Sequence, residues 1–281
     1  MLSWPLKNAH FPVSKLCQVL EVSRAGFYAW KHRGKSKRGL EDERLKVLVH
    51  EAYRIGRKTY GSPRVFKALR KKGLRIGRKR VIRVMREEGL AGRVRRRYRC
   101  TTMSDHSQPF AANILDRQFK ADAPNQRWVG DTTELSTPIG KIYLAALIDL
   151  YSRFVFGWAI STMNNRQLAI KALDMALRRR CPGEGLLHHS DRGSTYASDD
   201  YRSILEEHGI ACSMSRRGNC YDNAAMESGF STFKAELSER FESPGDAKTK
   251  AFEYIEVFYN QQRMHSAIGY TAPAEFERAA A

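Results

Sequence analysis

Asn219-Cys-Tyr-Asp-Asn-Ala-Ala-Met-Glu-Ser-Gly-Phe-Ser-Thr-Phe-Lys-Ala-Glu236 is a polar loop running into a helix. Phe230, Phe233 and Leu237 stand at i, i+3 and i+7, a stripe that faces a core. Glu227 and Lys234 lie seven residues apart, about two turns, and so share one face at the edge of that stripe. A carboxylate and a cation at the rim of a buried face suit a site that handles metal and phosphate. Two further acids fit such a site: Asp131 in Trp128-Val-Gly-Asp-Thr-Thr-Glu134 and Asp191 in His188-His-Ser-Asp-Arg-Gly-Ser-Thr195. Thirty-five residues separate Asp191 from Glu227, and fifty-nine separate Asp131 from Asp191.

The segments around these acids predict an α/β unit. Residues 127–135 read as a strand ending in carboxylates. Residues 141–150 and 154–160 are apolar, aromatic-rich runs either side of Tyr151-Ser-Arg153 and read as a hairpin. Asn165 to Arg180 reads as a helix, 186–190 as a short strand delivering Asp191, Asp200 to His208 as a helix, Ala211–Ser215 as a strand and 216–223 as a loop. Three strands, helix, strand, helix, strand, helix is the order of a ribonuclease-H-like mixed sheet. In it a central first strand and a neighbouring fourth strand bring Asp131 and Asp191 together, and Glu227 closes over them. Hard divalent cations want carboxylate oxygens, and two ions about 3.5–4 Å apart activate an attacking oxygen and stabilise a leaving one.

The chain has 281 residues and a formal charge of +19, but the charge is lopsided. Residues 1–100 hold 29 Lys and Arg against 7 Asp and Glu, whereas residues 101–281 hold 20 against 23. A polycation joined to a near-neutral globular part points to a nucleic-acid partner. The five cysteines, 17, 100, 181, 212 and 220, include no C-x-x-C pair, so neither a disulfide framework nor a zinc knuckle is expected. The start lacks a signal-peptide core and no run approaches about 20 apolar residues, so a cytoplasmic protein with no membrane partner is expected.

Within the basic third, residues 11–30 predict two short helices joined at Glu21-Val22-Ser23, with Ser23 as the second N-cap. The pattern fits a helix-turn-helix or a small structural bundle. In the next unit Ser62-Pro63 starts a helix that ends at Gly73, and Gly77 opens a second that Gly89 closes. Val81, Val84 and Met85 form its inner stripe; Arg78, Lys79, Arg80, Arg83 and Arg86 face outward with few acids to pair with them. Arg95, Arg96 and Arg97 lie in a run too basic to pack, suited to tracking a phosphate backbone. The expected division is 1–40 helix-turn-helix-like, 41–100 a second basic helix-turn-helix domain, 101–120 linker, 121–240 ribonuclease-H-like core and 241–281 helical extension. The fold class is thus α/β, preceded by an all-α DNA-binding region.

These residues carry a likeness. Asp131, Asp191 and Glu227, with thirty-five residues between the last two, resemble the DDE transposases of the retroviral-integrase superfamily. More closely, His189-Ser-Asp-Arg-Gly-Ser-Thr-Tyr196, Asp222-Asn-Ala-Ala-Met-Glu-Ser228, Lys234-Ala-Glu236, Tyr259-Asn-Gln-Gln-Arg-Met-His-Ser266 and Gly269-Tyr-Thr-Ala-Pro-Ala-Glu-Phe276 resemble the second-frame (OrfB) transposase of the insertion-sequence-three group. Tyr60-Gly-Ser-Pro-Arg64 and Val81-Ile-Arg-Val-Met-Arg-Glu-Glu-Gly-Leu90 resemble its upstream domain. The resemblance implies two Mg²⁺ ions, with Mn²⁺ as substitute, held by Asp131, Asp191 and Glu227. It implies Lys234 on DNA near the cut phosphate, 3′-end cleavage of double-stranded element ends, and strand transfer into target DNA. A dimer or higher homo-oligomer, a first-frame subunit as partner and association with the nucleoid are implied too. Gly229 stands where the group has an aromatic residue, and a mid-helix glycine costs about 1 kcal/mol relative to alanine.

Other residues admit two roles. His188 and His189 either position a water or phosphate or simply hydrogen-bond at a strand end. Asn223 either supports Glu227 or a metal-bound water, or one of Asp222 and Asn223 serves as the N-cap of the helix. Glu134 and Asp149 are spare carboxylates. Arg263 and His265 are candidate DNA contacts, and Phe252, Ile255, Phe258 and Tyr259 a core stripe. The competing function is a catalytically inactive DNA-binding regulator of transposition; a ribonuclease acting on RNA–DNA hybrids is a third.

Overall fold

The computed structural model describes residues 12–93 and 110–280, apart from 139, 218 and 238–240. At its centre is β1 (Arg127–Thr137), whose residues alternate between two cores. It pairs antiparallel with β2 (Gly140–Asp149), which pairs antiparallel with β3 (Val155–Ser161). On its other side it runs parallel to β4 (Leu187–Ser190), which runs parallel to β5 (Ala211–Met214). The sheet order is β3-β2-β1-β4-β5, the mixed sheet expected of a ribonuclease-H-like fold. Asp149, buried, accepts from the backbone N–H groups of Asn125 and Tyr151, so this spare carboxylate holds the β2–β3 turn.

Two helical layers cover the sheet. Trp128, Ala145, Leu147 and Phe156 face α6 (Arg166–Arg180) and α7 (Asp199–Glu207). Asn165 caps α6 by accepting from the Leu168 N–H. At Gly157 the helix lies so close that a Cβ would stand 2.4 Å from the Ala172 carbonyl. Val129, Leu135, Ile142, Leu144 and Ile148 face α8 (Ala224–Glu236), with Met226, Phe230, Phe233 and Leu237 turned inward as the stripe predicts. Beyond it α9 (Pro244–Phe252) widens into π-type turns over Glu253–Tyr259. Ile255, Phe258 and Tyr259 are buried there. Phe252 is not: it is half exposed beside Trp158, because the wider turns rotate it out of the stripe.

In the basic part, α1 (Val13–Val19) and α2 (Arg24–His32) form a two-helix unit with Ser23 capping the second. Next come α3 (Lys37–Ile55), α4 (Ser62–Lys71) and α5 (Arg78–Glu87). The sequence reading missed α3, whose Leu45, Val49 and Ala52 pack on Val65, Leu69, Val81, Val84 and Met85. A division at residue 40 would cut α3, and residues 110–120 are more than linker: Leu115 is buried, and Ser213 Oγ accepts from the N–H groups of Ile114 and Leu115. The expected phosphate-tracking residues Arg95, Arg96 and Arg97 lie outside the described residues. Among the described residues no helix is long and apolar enough to cross a membrane.

Candidate active site

The register of β1 on β4 places the two aspartates. Trp128 pairs with His188 and Val129 with His189, so Asp131 and Asp191 each lie two residues beyond the same pair on adjacent strands. Asp131 shares the Val129 face, on which α8 packs. β1 runs on to Thr137, so Asp131 stands mid-strand where β4 stops, rather than at the strand's own end. Asp131 Oδ1 accepts from the Thr132 N–H at 2.7 Å, and Asp191 Oδ1 from the Gly193 N–H at 2.9 Å.

Burial and charge act together on these acids. Burial pushes the Asp131 carboxyl well above its ordinary range, and the charges of Asp191 and Glu227 push it further, while the Thr132 N–H and Lys234 pull the other way. Asp191 is raised by burial against the Gly193 N–H. Glu227, at the exposed rim of α8, is raised by partial burial. Burial lowers the Lys234 ammonium, and Glu134 and Asp131 hold it up. Asp131 therefore feels Asp191, Glu227 and Lys234 at once, although among the described residues no three acids, histidines or cysteines are gathered into a metal-holding cluster. Asp131 and Asp191 stand together; Glu227 reaches Asp131 only through its field.

The supporting residues sort clearly. Both ring nitrogens of His189 are engaged, Nδ1 with Ser213 Oγ at 2.9 Å and Nε2 with Ser215 Oγ at 3.2 Å, and burial lowers its pKa to about 4. It braces the loop after β5. His188 meets the Tyr201 hydroxyl at 3.0 Å, with a pKa that burial lowers to about 3. Gly130 makes room for that ring, since a Cβ would lie 3.0 Å from His188 Nε2. Asn223 Nδ2 reaches the Gly130 carbonyl at 3.5 Å, linking the start of α8 to the residue before Asp131. Glu134 pairs with Lys141 across the hairpin at 3.1 Å.

Sequence reasoning gave no role to Tyr196, although it ends the motif around Asp191. It is buried beneath the site, 3.2 Å from Thr132 Oγ1. Asp222 is one of the two N-cap candidates in the sequence. Its buried carboxylate instead takes Nε and Nη2 of Arg216, Nε of Arg117 and Nδ2 of Asn113, and those partners hold it well below its usual pKa. It clasps the loop ahead of α8 to the 113–117 segment.

The proposed nucleic-acid face also needs correction. Arg80 and Arg83, expected to be free for DNA, are bound to acids: Arg80 to Asp42 and Glu41, Arg83 to Asp42 and Glu87. The missed helix α3 supplies Glu41 and Asp42. Arg78, Lys79 and Arg86 remain exposed on the outer face of α5. Arg263 is 2% exposed and paired with Glu236, so it belongs to the core and not to a DNA face. His265 caps the short turn Ser266–Ile268 through the Ala267 N–H.

Family models agree with this layout. Models described as "Integrase core domain" match residues 121–220 and 208–273, and an "HTH-like domain" model matches residues 40–98. The "Transposase InsF for insertion sequence IS3A" of Escherichia coli (strain K12) is 39% identical over 274 residues, 96% of this chain and 95% of that protein. The chain belongs to the IS3-type transposase family. An "Insertion element IS600 uncharacterized 31 kDa protein" of Shigella sonnei is 45% identical over 263 residues, 93% of this chain and 97% of that one. Among solved structures, a simian T-cell lymphotropic virus intasome aligns with TM-score 0.49 at 12% identity, covering 78% of this chain and 70% of that one. The HTLV-2 integrase catalytic core domain in complex with magnesium aligns with TM-score 0.43 at 15% identity, covering 56% and 98%.

Proposed function

We propose that this transposase cuts the 3′ ends of its mobile element and joins the exposed hydroxyl to a second DNA, with Asp131, Asp191 and Glu227 as ligands for two Mg²⁺ ions. The observation that carries the reading is the shared register of Asp131 and Asp191 under α8. The donor set fits. Burial raises both aspartates and the Asp191 charge raises Asp131 further, while backbone N–H groups engage Oδ1 of each, leaving Oδ2 for a cation. Hard divalent ions take such oxygens; bound there, they would activate an attacking oxygen and stabilise a leaving one.

The chain's own groups do the rest. Asn223 ties the start of α8 to β1, which presents Glu227 toward Asp131. Lys234, two turns along the same helix, offers a cation for the phosphate beside the cut. Arg78, Lys79 and Arg86 on α5 hold the element end, aided by the basic run Arg95 to Arg97, and phosphate contacts of this kind set orientation while base-edge contacts set sequence. Joining two ends requires at least a dimer on DNA, with a first-frame subunit as a further partner in the nucleoid. The inactive-regulator reading rested on Gly229, yet α8 runs unbroken through that residue.

The test is strand transfer by the full chain with a labelled duplex end. Product should form with Mg²⁺, vanish with a chelator and return with Mn²⁺. Product that persists under chelation sinks the metal assignment. Preference for an RNA–DNA hybrid over a duplex end moves the chain to a ribonuclease.

A further inference from the structure

The basic helical unit meets the catalytic layer at a buried ionic cluster that the chemistry above does not use. Glu236 closes α8, two residues past Lys234. Arg263 grips it with both arms of its fork, Nε to Oε2 at 2.6 Å and Nη2 to Oε1 at 2.7 Å, and the Tyr254 hydroxyl donates to Oε2 at 2.8 Å. The pair is nearly sealed, the side chains being 2% and 6% exposed.

The basic unit reaches into this cluster at three points. On α4, Arg64 Nε donates to the Met264 carbonyl at 3.0 Å and its Nη1 stands 3.7 Å from Glu236. The Tyr60 hydroxyl accepts from the Met264 N–H at 2.9 Å and donates to the Gln262 carbonyl at 3.4 Å. Past α5, Arg93 donates to the Glu236 carbonyl at 2.9 Å, setting a cation on the C-terminus of α8 where the helix dipole favours it. The chain reaches that spot because Gly92 passes close to Gly61; a Cβ on Gly92 would stand 2.7 Å from the Gly61 backbone.

A two-armed arginine pair fixes an angle as well as a distance. Sliding the helical unit would strip Arg64 from Glu236 and leave Tyr60 without the 262–264 backbone. Resting on the functional reading above, we propose that this cluster is a ruler. Tyr60, Arg64 and Arg93 act as positioning residues that fix α5 relative to Glu227 and Lys234. They thereby set the number of base pairs between the sequence bound by α5 and the phosphate that is cut.

The ruler is tested by mapping cut positions at single-nucleotide resolution on an element-end duplex. The full chain is compared as wild type, as Tyr60→Phe/Arg64→Met, and as Arg93→Ala, an exposed change that keeps the fold if the double variant fails to express. End-DNA affinity should stay within about twofold. Cutting per bound complex should fall at least about tenfold, because small misplacements of reacting groups are costly. The diagnostic result is a wild type that cuts at one phosphate and variants that spread their cuts over neighbouring phosphates. A purely structural role would lower the amount cut without moving it. Variants that cut cleanly at the wild-type phosphate overturn the ruler alone, and a wild type that cuts nothing overturns the functional reading and the ruler with it.

Discussion

Helix α8 carries a carboxylate near each end, and the fold treats the two in opposite ways. Glu227 is grouped with Asp131 and Asp191, all three raised by burial above the ordinary carboxylate range, Asp131 further by the charges of the other two. Glu236 is buried more deeply than Glu227, yet Arg263, Tyr254 and Arg64 outweigh that burial and hold it below that range. Compensated acids hold the shape of the molecule, and the uncompensated ones are those to which the proposed function assigns the cations. The cost of the second arrangement is accepted only where chemistry needs it.

The sharpest way to break this contrast is to neutralise each set. Asp131→Asn, Asp191→Asn and Glu227→Gln should each lower strand transfer a thousandfold or more, about 4 kcal/mol of barrier. Their stability to urea at neutral pH, without divalent ions, should hold or rise, because each change removes charge that the fold disfavours. A variant whose activity and stability fall together would move that residue to the structural set.

Arg263→Met should do the reverse. It strips Glu236 of its paired cation, leaving the Tyr254 hydroxyl and Arg64 at 3.7 Å as partners, and breaking a buried pair in this way costs about 3–5 kcal/mol of stability, read as a lower urea midpoint. The pH dependence follows from the lowered Glu236 pKa. Its contribution is complete above the unfolded value, about 4.3, and is lost as pH falls through the folded one. Wild type should therefore weaken on acidification below about pH 4, and Glu236→Gln should flatten that limb. An unchanged acid limb would remove Glu236 from the set that holds the fold.

How far the sequence reached follows the same division. The order of strands and the assignment of Asp131 and Asp191 to adjacent strands were legible, because chain order and parallel pairing leave few alternatives in a mixed sheet; the mid-strand position of Asp131 was not. The stripe of α8 was legible from its period. Pairings between distant segments were not. Nothing local marks Arg263 as buried; its partner is twenty-seven residues earlier. Missing α3 had a direct consequence, since its Glu41 and Asp42 neutralise the arginines that looked free on α5. The Leu45, Val49, Ala52 spacing would have revealed that helix.

That correction is itself testable in the DNA-binding unit. Lys79→Ala and Arg86→Ala should each cut the slope of log affinity against log salt by about 0.9, one phosphate contact apiece. Arg80→Ala, which removes a side chain already bound to Asp42 and Glu41, should leave the slope near wild type. Equal losses from all three would mean that the ion pairs open on DNA.

The smallest effect concerns Gly229, which lies on the uncompensated half of α8. Alanine in a helix interior is favoured over glycine by about 1 kcal/mol. The added Cβ would stand 3.2 Å from Ile148 Cδ1, the far end of a flexible side chain. Beside it is a cavity of about 20 Å³ lined by Leu144, Ile148, Phe230 and Phe233, so there is somewhere for that methyl to move. Gly229→Ala should therefore stabilise the chain by somewhat less than 1 kcal/mol and leave strand transfer close to wild type, since neither Glu227 nor Lys234 changes face. A destabilised variant would mean that Ile148 cannot yield. A stabilised variant with lost activity would mean that the site needs the looseness glycine gives this helix, and the rigid picture of α8 would have to be confined to its Glu236 end.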